Sequence, residues 1–406
     1  MRGHRADPTS LALSCTVTAL VFYLIVLSMP LMTLDLLGRL HTVNVLTGPV
    51  ALFNAPGALA FVGAVVLLAT VLMPGLVIVL NLVVLSASRR SPSPAYLNRL
   101  LRLQKRLRPW SMVEVYMLGI FVAYTKLVDL AHVDLDASTF ALAAIMVLMI
   151  TADGAFDRAA IWDKIHAERG DGLPTDGDAE EALADTSRLI ACHDCELVLR
   201  VAPGRPDPHH CPRCDAVLHR REPQSLQRTM AYLIASAILY VPANLLPVLT
   251  LTKLGRGEPS TILAGVVELY DSNMLPLALL VFFASVCVPC LKVVGLLVMV
   301  VMTHFRLGAG LFDRTRLFRI IDFIGRWSMI DVFMISILVA IVHFGFLANV
   351  DADPGIVAFA GVVILTIFAA ESFDPRLMWD AAEAPRRRRA GARSQTPALA
   401  SGSPAR

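Results

Sequence analysis

The chain has 406 residues, of which 56% are hydrophobic and only 17% charged. That composition is too apolar and too poor in charge for a soluble protein of this size. A net charge of +3 gives no bulk attraction for nucleic acid.

The apolar residues come in blocks of about 20, the length a helix needs to cross a bilayer. Eight blocks are expected to span, near Leu11–Leu34, Pro56–Ala87, Trp110–Leu130, Thr139–Ala155, Thr229–Leu251, Met274–Thr303, Trp327–Leu347 and Gly355–Phe373. The first follows Arg2 and Arg5 and leads to no A-x-A-like site, so it reads as a retained helix rather than a cleaved leader. Pro74 and Pro289 fall inside the second and sixth blocks, where neighbours must satisfy the freed carbonyls.

Basic residues fill alternate loops. Arg89, Arg90, Arg99, Arg102, Lys105, Arg106 and Arg108 lie between blocks two and three, and Arg306, Arg314, Arg316, Arg319 and Arg326 between six and seven. The tail adds Arg386 to Arg389, whereas the opposite loops carry Asp134, Asp136, Asp351 and Asp353. The positive-inside rule then places both termini and the central segment in the cytoplasm. Tyr96–Pro109 and Asp313–Arg326 read as short amphipathic basic helices at the cytoplasmic interface, or more plainly as positive loops.

The sequence repeats itself at a spacing of 217. Trp110-Ser111-Met112-Val113-Glu114 matches Trp327-Ser328-Met329-Ile330-Asp331, Trp162-Asp163 matches Trp379-Asp380, and Pro30 matches Pro247. The expected fold is therefore an all-α polytopic membrane protein with two parallel-repeat four-helix halves and a small cytoplasmic zinc ribbon. Its expected units are a first transmembrane half over 1–166, an acidic linker over 167–186, the ribbon over 187–222, a second half over 223–380 and a disordered basic tail over 381–406.

Four of the seven cysteines form the ribbon. Cys192 and Cys195, then Cys211 and Cys214, give C-x2-C-x15-C-x2-C, the spacing of a tetrahedral Zn(II) site. So small a segment has no core of its own, so metal would supply its folding energy. The competing reading is a pair of redox motifs. Cys287 and Cys290 form a further C-x2-C, read as small buried apolar residues for want of a partner cluster.

Lys292 is the sharpest feature of the apolar blocks. An ammonium within Val281–Val301 must face the bundle interior and find a partner or water. Ser285 lies two turns earlier on the same face, and the first-half residue that follows Pro74 as Lys292 follows Pro289 is Val77. Lys292, Asp129, Ser285, Ser328 and Thr366 are expected to meet in a polar site able to carry protons. The plainer alternative is that each residue only joins helices through hydrogen bonds. His343 reads as interfacial.

The ordered set of the cysteine cluster, Tyr240-Val241-Pro242-Ala243-Asn244-Leu245-Leu246-Pro247, Thr261-Ile262-Leu263-Ala264-Gly265, Ala284-Ser285 with Pro289 and Lys292, and Gly325-Arg326-Trp327-Ser328-Met329 resembles the paraquat-inducible protein A family. The resemblance covers Cys192 to Asp380 and extends through the repeat to the first half. It implies a non-enzymatic, multi-pass protein of the bacterial inner membrane. Its partner would be a periplasmic MCE-domain (mammalian cell entry) protein forming an oligomeric tunnel, and its cargo phospholipid or another lipid. The family pattern has a ribbon before each half, whereas Met1–Ser10 carries no cysteine pair. No Walker A sequence is present, so energy would come from a partner, an ion gradient or the lipid gradient. The same features also fit a proton-coupled exporter of small amphipathic molecules, a membrane thiol oxidoreductase, or a structural anchor for the MCE ring.

Overall fold

The computed structural model describes residues 8–36, 39–55, 57–128, 132–169, 189–201, 208–253, 256–306, 311–341 and 348–382. The chain is predominantly helical, and six helical stretches are long and apolar enough to cross a membrane: Thr9–Ser28, Leu59–Ser88, Ala137–Ala155, Leu275–His304, Leu311–Ala340 and Pro354–Ser372. The third and fifth expected blocks are helical too, but Val113–Val128 is shorter and Ser225–Leu245 more polar.

In chain order the elements are α1 Pro8–Ser28, β1 Met32–Leu36, β2 Arg39–Val43, α2 Thr47–Asn54, α3 Leu59–Ser88, α4 Leu97–Leu107, α5 Val113–Val128, β3 His132–Leu135, α6 Ala137–Ala155 and α7 Arg158–Arg169. They continue with β4 Leu189–Ala191, β5 Val198–Arg200, α8 Ser225–Leu245, β6 Leu249–Lys253, β7 Arg256–Ser260 and α9 Ile262–Asp271. The last are α10 Leu275–His304, α11 Leu311–Gly325, α12 Ile330–Ile341, β8 Ala348–Ala352 and α13 Pro354–Ser372.

Short strands join the helices, as the sequence reading did not foresee. The first apolar block was expected to stay helical to Leu34, yet α1 ends at Ser28, just before Pro30, and β1 begins at Met32. Proline removes a donor and biases the residue before it away from helix, so the chain leaves the helix extended. β1 pairs antiparallel with β2 and β3, with Met32 opposite Val43 and Leu135. The same pairing recurs 217 residues on: β6 lies between β7 and β8, with Leu249 opposite Ser260 and Ala352. Each sheet is tied to the helix that follows it. Thr33 Oγ1 donates to Asp136 Oδ2 at 2.7 Å, and Thr250 Oγ1 donates to Asp353 Oδ2 at 2.5 Å.

The two longest helices share a second device. A π-helical stretch, Leu68–Leu72 in α3 and Phe283–Cys287 in α10, precedes Pro74 and Pro289. Proline lacks the donor for the carbonyl four residues back, and the wide turn absorbs the mismatch. A tyrosine from the neighbouring helix supplies a donor within each stretch. Tyr23 Oη donates to Val71 O at 2.7 Å, and Tyr240 Oη donates to Val286 O at 3.3 Å.

α1 packs on α6, α8 on α13, and α5 on α12. The α5–α12 contact lets matching helices meet, with Tyr116 edge-on to Phe333 at 5.7 Å. The main apolar core runs through this contact, from Val113, Tyr116 and Ile120 to Ile330, Phe333 and Ile337. A 3-10 turn, Arg326–Met329, joins α11 to α12, so the seventh expected block is the far half of one longer helical stretch. Of the expected linker, 170–186 lies outside the described residues, and α7 continues to Arg169. Of the expected tail, 383–406 lies outside them, while 376–382 is helical.

Candidate metal centre and buried lysine

The four ribbon cysteines are brought together. Cys192, Cys195, Cys211 and Cys214 are buried, and their Sγ atoms all lie within 4.8 Å of one another. Tetrahedral thiolates at the usual Zn–S length stand about 3.8 Å apart, so the donor set fits a metal ion of that kind. Two knuckles with the same backbone geometry build it. Glu196 N donates to Cys192 O at 3.0 Å, and Asp215 N donates to Cys211 O at 2.8 Å. Each pair is followed by a residue in the left-handed region, Glu196 at φ 62° and Asp215 at φ 61°. None of the four cysteines is in a disulfide.

The ribbon precedes α8 in the chain but packs on helices from the first half. Ile190, Val201 and Leu218 share an apolar cluster with Leu97 and Leu101 of α4, Ile161, Trp162 and Ile165 of α7, and Val84 of α3. Polar contacts fix the docking. Lys105 Nζ donates to His193 O at 2.6 Å and to Glu196 Oε1 at 2.8 Å, which holds the Glu196 carboxyl below the usual range. Buried Arg213 pairs with Asp163 and donates to Ala159 O at 3.0 Å. The apolar face of α4 is thus covered by protein.

Lys292 is 1% exposed, despite lying on the 30-residue apolar helix α10. Its Nζ donates to Gly325 O at 3.2 Å, at the end of α11. Ser328 Oγ donates to the same carbonyl at 2.8 Å. Two of the five expected residues therefore meet at one backbone oxygen. The approach is close: a Cβ on Gly325 would sit 3.1 Å from Lys292 Cε. Ser285 and Thr366 are also buried, but they bond within their own helices, to Val281 O at 2.7 Å and to Val363 O at 2.9 Å. Ser285 stands four residues before Pro289 in the π stretch, and Thr70 holds the matching place before Pro74. Asp129 and His343 lie outside the described residues.

Cys287 and Cys290 differ from expectation. Cys290 is exposed and Cys287 partly so. Cys15 is buried as a packing residue. Sequence reasoning missed the Gly325 carbonyl and the tyrosine donors. The spacing of 217 between Tyr23 and Tyr240 was the available signal for the latter.

A family model described as Paraquat-inducible protein A matches residues 10–166 and 226–383. The chain belongs to the paraquat-inducible protein A family. It is 33% identical to the Intermembrane transport protein PqiA of Escherichia coli K12 over 93% of this chain and 86% of that one. It is 34% identical to the Lipophilic envelope-spanning tunnel protein A of the same organism, over 71% of this chain and 64% of that one. A Probable intermembrane transport protein of Haemophilus influenzae is 27% identical over 67% of this chain and 64% of its own length. No solved structure matches. The cysteine cluster falls between the two segments matched by the family model, whereas Lys292, Ser285, Ser328 and Thr366 lie within the second.

Proposed function

We propose that this chain is an inner-membrane, eight-span component of an MCE-type intermembrane lipid transport system, built as two parallel-repeat halves with both termini cytoplasmic. It passes lipid between the inner membrane and a periplasmic MCE tunnel, coupled to protons through Lys292, Ser285, Ser328, Thr366 and Asp129. Zinc in the ribbon is structural, since four thiolates leave no open position for chemistry. The names of the relatives, intermembrane transport protein and envelope-spanning tunnel protein, support the transport part. The repeated strand registers support the two halves.

One observation carries the mechanism. A lysine is kept dry at large desolvation cost on a helix otherwise free of charge, with its amine on a carbonyl at the junction of α11 and α12. Such a group can exchange a proton and change its hold on that junction as it does so. Transport measured in cells at matched protein level tests this. Lys292→Ala is expected to abolish it, and full transport by that variant would overturn the role. Co-purification with an MCE protein and bound lipid tests the partner and cargo. Substrate-stimulated proton flux by the chain reconstituted alone would instead favour the exporter.

A further inference from the structure

The two basic helices carry one motif at matched positions. Arg99-Leu100-Leu101-Arg102-Leu103 in α4 stands 217 residues before Arg316-Leu317-Phe318-Arg319-Ile320 in α11. In both, the second and third residues turn inward: Leu101 is buried against α3 and α7, and Leu317 and Phe318 pack on the cluster of Leu296, Met299 and Phe373. In both, the last residue points out, Leu103 at 42% and Ile320 at 43% exposure. The arginines stand three apart, on one helical face. The cations that follow the α4 motif are taken up by acidic residues of the protein, Lys105 by Glu196, Arg106 by Asp194 and Arg108 by Asp153. Arg99, Arg102, Arg316 and Arg319 enter no ion pair among the described residues.

Each motif lies beside the end of a long apolar helix. Gln104 bonds Asn81 of α3, and Ile321 fills the notch at Gly295 of α10. α11 adds exposed aromatic rings at its two ends, Phe312 and Phe323. Two guanidiniums three residues apart, with an outward aliphatic residue beside them, match a phosphate above the start of an acyl chain.

We propose that the two Arg-x-x-Arg-Leu/Ile motifs are a matched pair of sites for the headgroup phosphate of anionic phospholipid, in the leaflet at the ribbon end of the molecule. Under the positive-inside orientation that leaflet is cytoplasmic. The sites need no transport, so a chain that moved no lipid would still show them. The Asp313 and Asp322 carboxylates on α11 limit the second site to the Arg316–Arg319 turn.

The test uses the full chain in nanodiscs of phosphatidylcholine, with and without phosphatidylglycerol. Hydrogen exchange over 97–107 and 311–325 is read by mass spectrometry, and retained lipid is counted after delipidation. Phosphatidylglycerol is expected to slow exchange in both helices, on the order of tenfold, and to be retained. Arg99→Gln/Arg102→Gln should remove the effect on α4 alone, and Arg316→Gln/Arg319→Gln that on α11 alone. Arg89→Gln/Arg90→Gln, an equal loss of charge outside the motif, should leave both intact. Equal loss in that control, or exchange indifferent to phosphatidylglycerol, would overturn the proposal. Protection that rises with protein concentration in phosphatidylcholine alone would also overturn it and give the faces to a second copy.

Discussion

Arg213 donates to Asp163 across the gap between the ribbon and α7, and 217 residues after Asp163 the matching Asp380 receives Arg221 through two bonds at 2.5 and 2.7 Å. Arg221 is held firmly protonated by that contact. The seven residues between the arginines thus run from one matched aspartate to the other. The pairs differ in weight, because Arg213 is 7% exposed and Arg221 is 37% exposed. A surface pair contributes little, whereas removing one partner of a buried cation leaves it undersatisfied.

Asp163→Asn should therefore loosen the docked ribbon, by about 1–3 kcal/mol. The readout is faster hydrogen exchange over 189–201 and 208–218. Asp380→Asn should change exchange only near 219–225. Equal effects from both variants would show that burial of the arginine does not set the difference.

Metal removal is expected to undo the same docking from the inside. β4 and β5 are three residues each, and the apolar cluster of the ribbon includes its own cysteines. Chelation, or Cys195→Ser, should unfold 189–218 and uncover Leu97, Leu101, Ile161 and Trp162. Limited proteolysis in this segment should rise while the membrane helices stay intact, and the native chain should bind one zinc. Acidification should act in the same direction as chelator, since thiolates must be deprotonated to bind. A ribbon that kept its protease resistance without metal would refute this account.

Two glycines mark where another stretch of backbone approaches a helix too closely for a side chain. A Cβ on Gly48 of α2 would lie 2.4 Å from Ser336 O of α12, and one on Gly355 would lie 2.3 Å from Pro247 O. Both obstacles are backbone, which cannot rotate away. Gly48→Ala and Gly355→Ala should each cost about 1–3 kcal/mol by overpacking. Gly154 meets nothing within 4 Å, so Gly154→Ala should be neutral or slightly stabilising through helix propensity. Thermal unfolding in one detergent ranks the three, and a Gly48→Ala melt equal to that of Gly154→Ala would contradict the contact.

The long helices were legible because uninterrupted apolar runs have few alternatives to spanning, and the four-cysteine cluster because two C-x2-C pairs at that spacing fit one tetrahedral site. The strands were not legible, for a physical reason. Met32–Leu36 and Leu249–Lys253 are five residues long and continue apolar runs already assigned to helices. Nothing in so short a stretch separates a strand from a helix end. The apolar face of α4 was readable, but not that the ribbon would cover it, since that contact joins residues some 90 positions apart. Burial of Lys292 followed from its flanks. Its partner did not, because a backbone carbonyl leaves no mark in a sequence.

Lys292 should trade stability for function. Burying an ammonium costs more than one hydrogen bond returns, so Lys292→Met, close in shape and uncharged, should raise the melting temperature or leave it unchanged. The carbonyl it leaves is not orphaned, because Ser328 Oγ still donates to Gly325 O. Lys292→Met with Ser328→Ala removes both donors and strands that carbonyl in a buried site, so the double variant should lose about 1–3 kcal/mol relative to the single one. Gly325→Ala presses on the ammonium stem from the other side and should be destabilising with lysine in place, less so with the more yielding methionine. Melting curves of these four variants decide the point. If Lys292→Met alone melted far below the native chain, the lysine would be a structural strut, and its dryness would no longer argue for a role in proton movement.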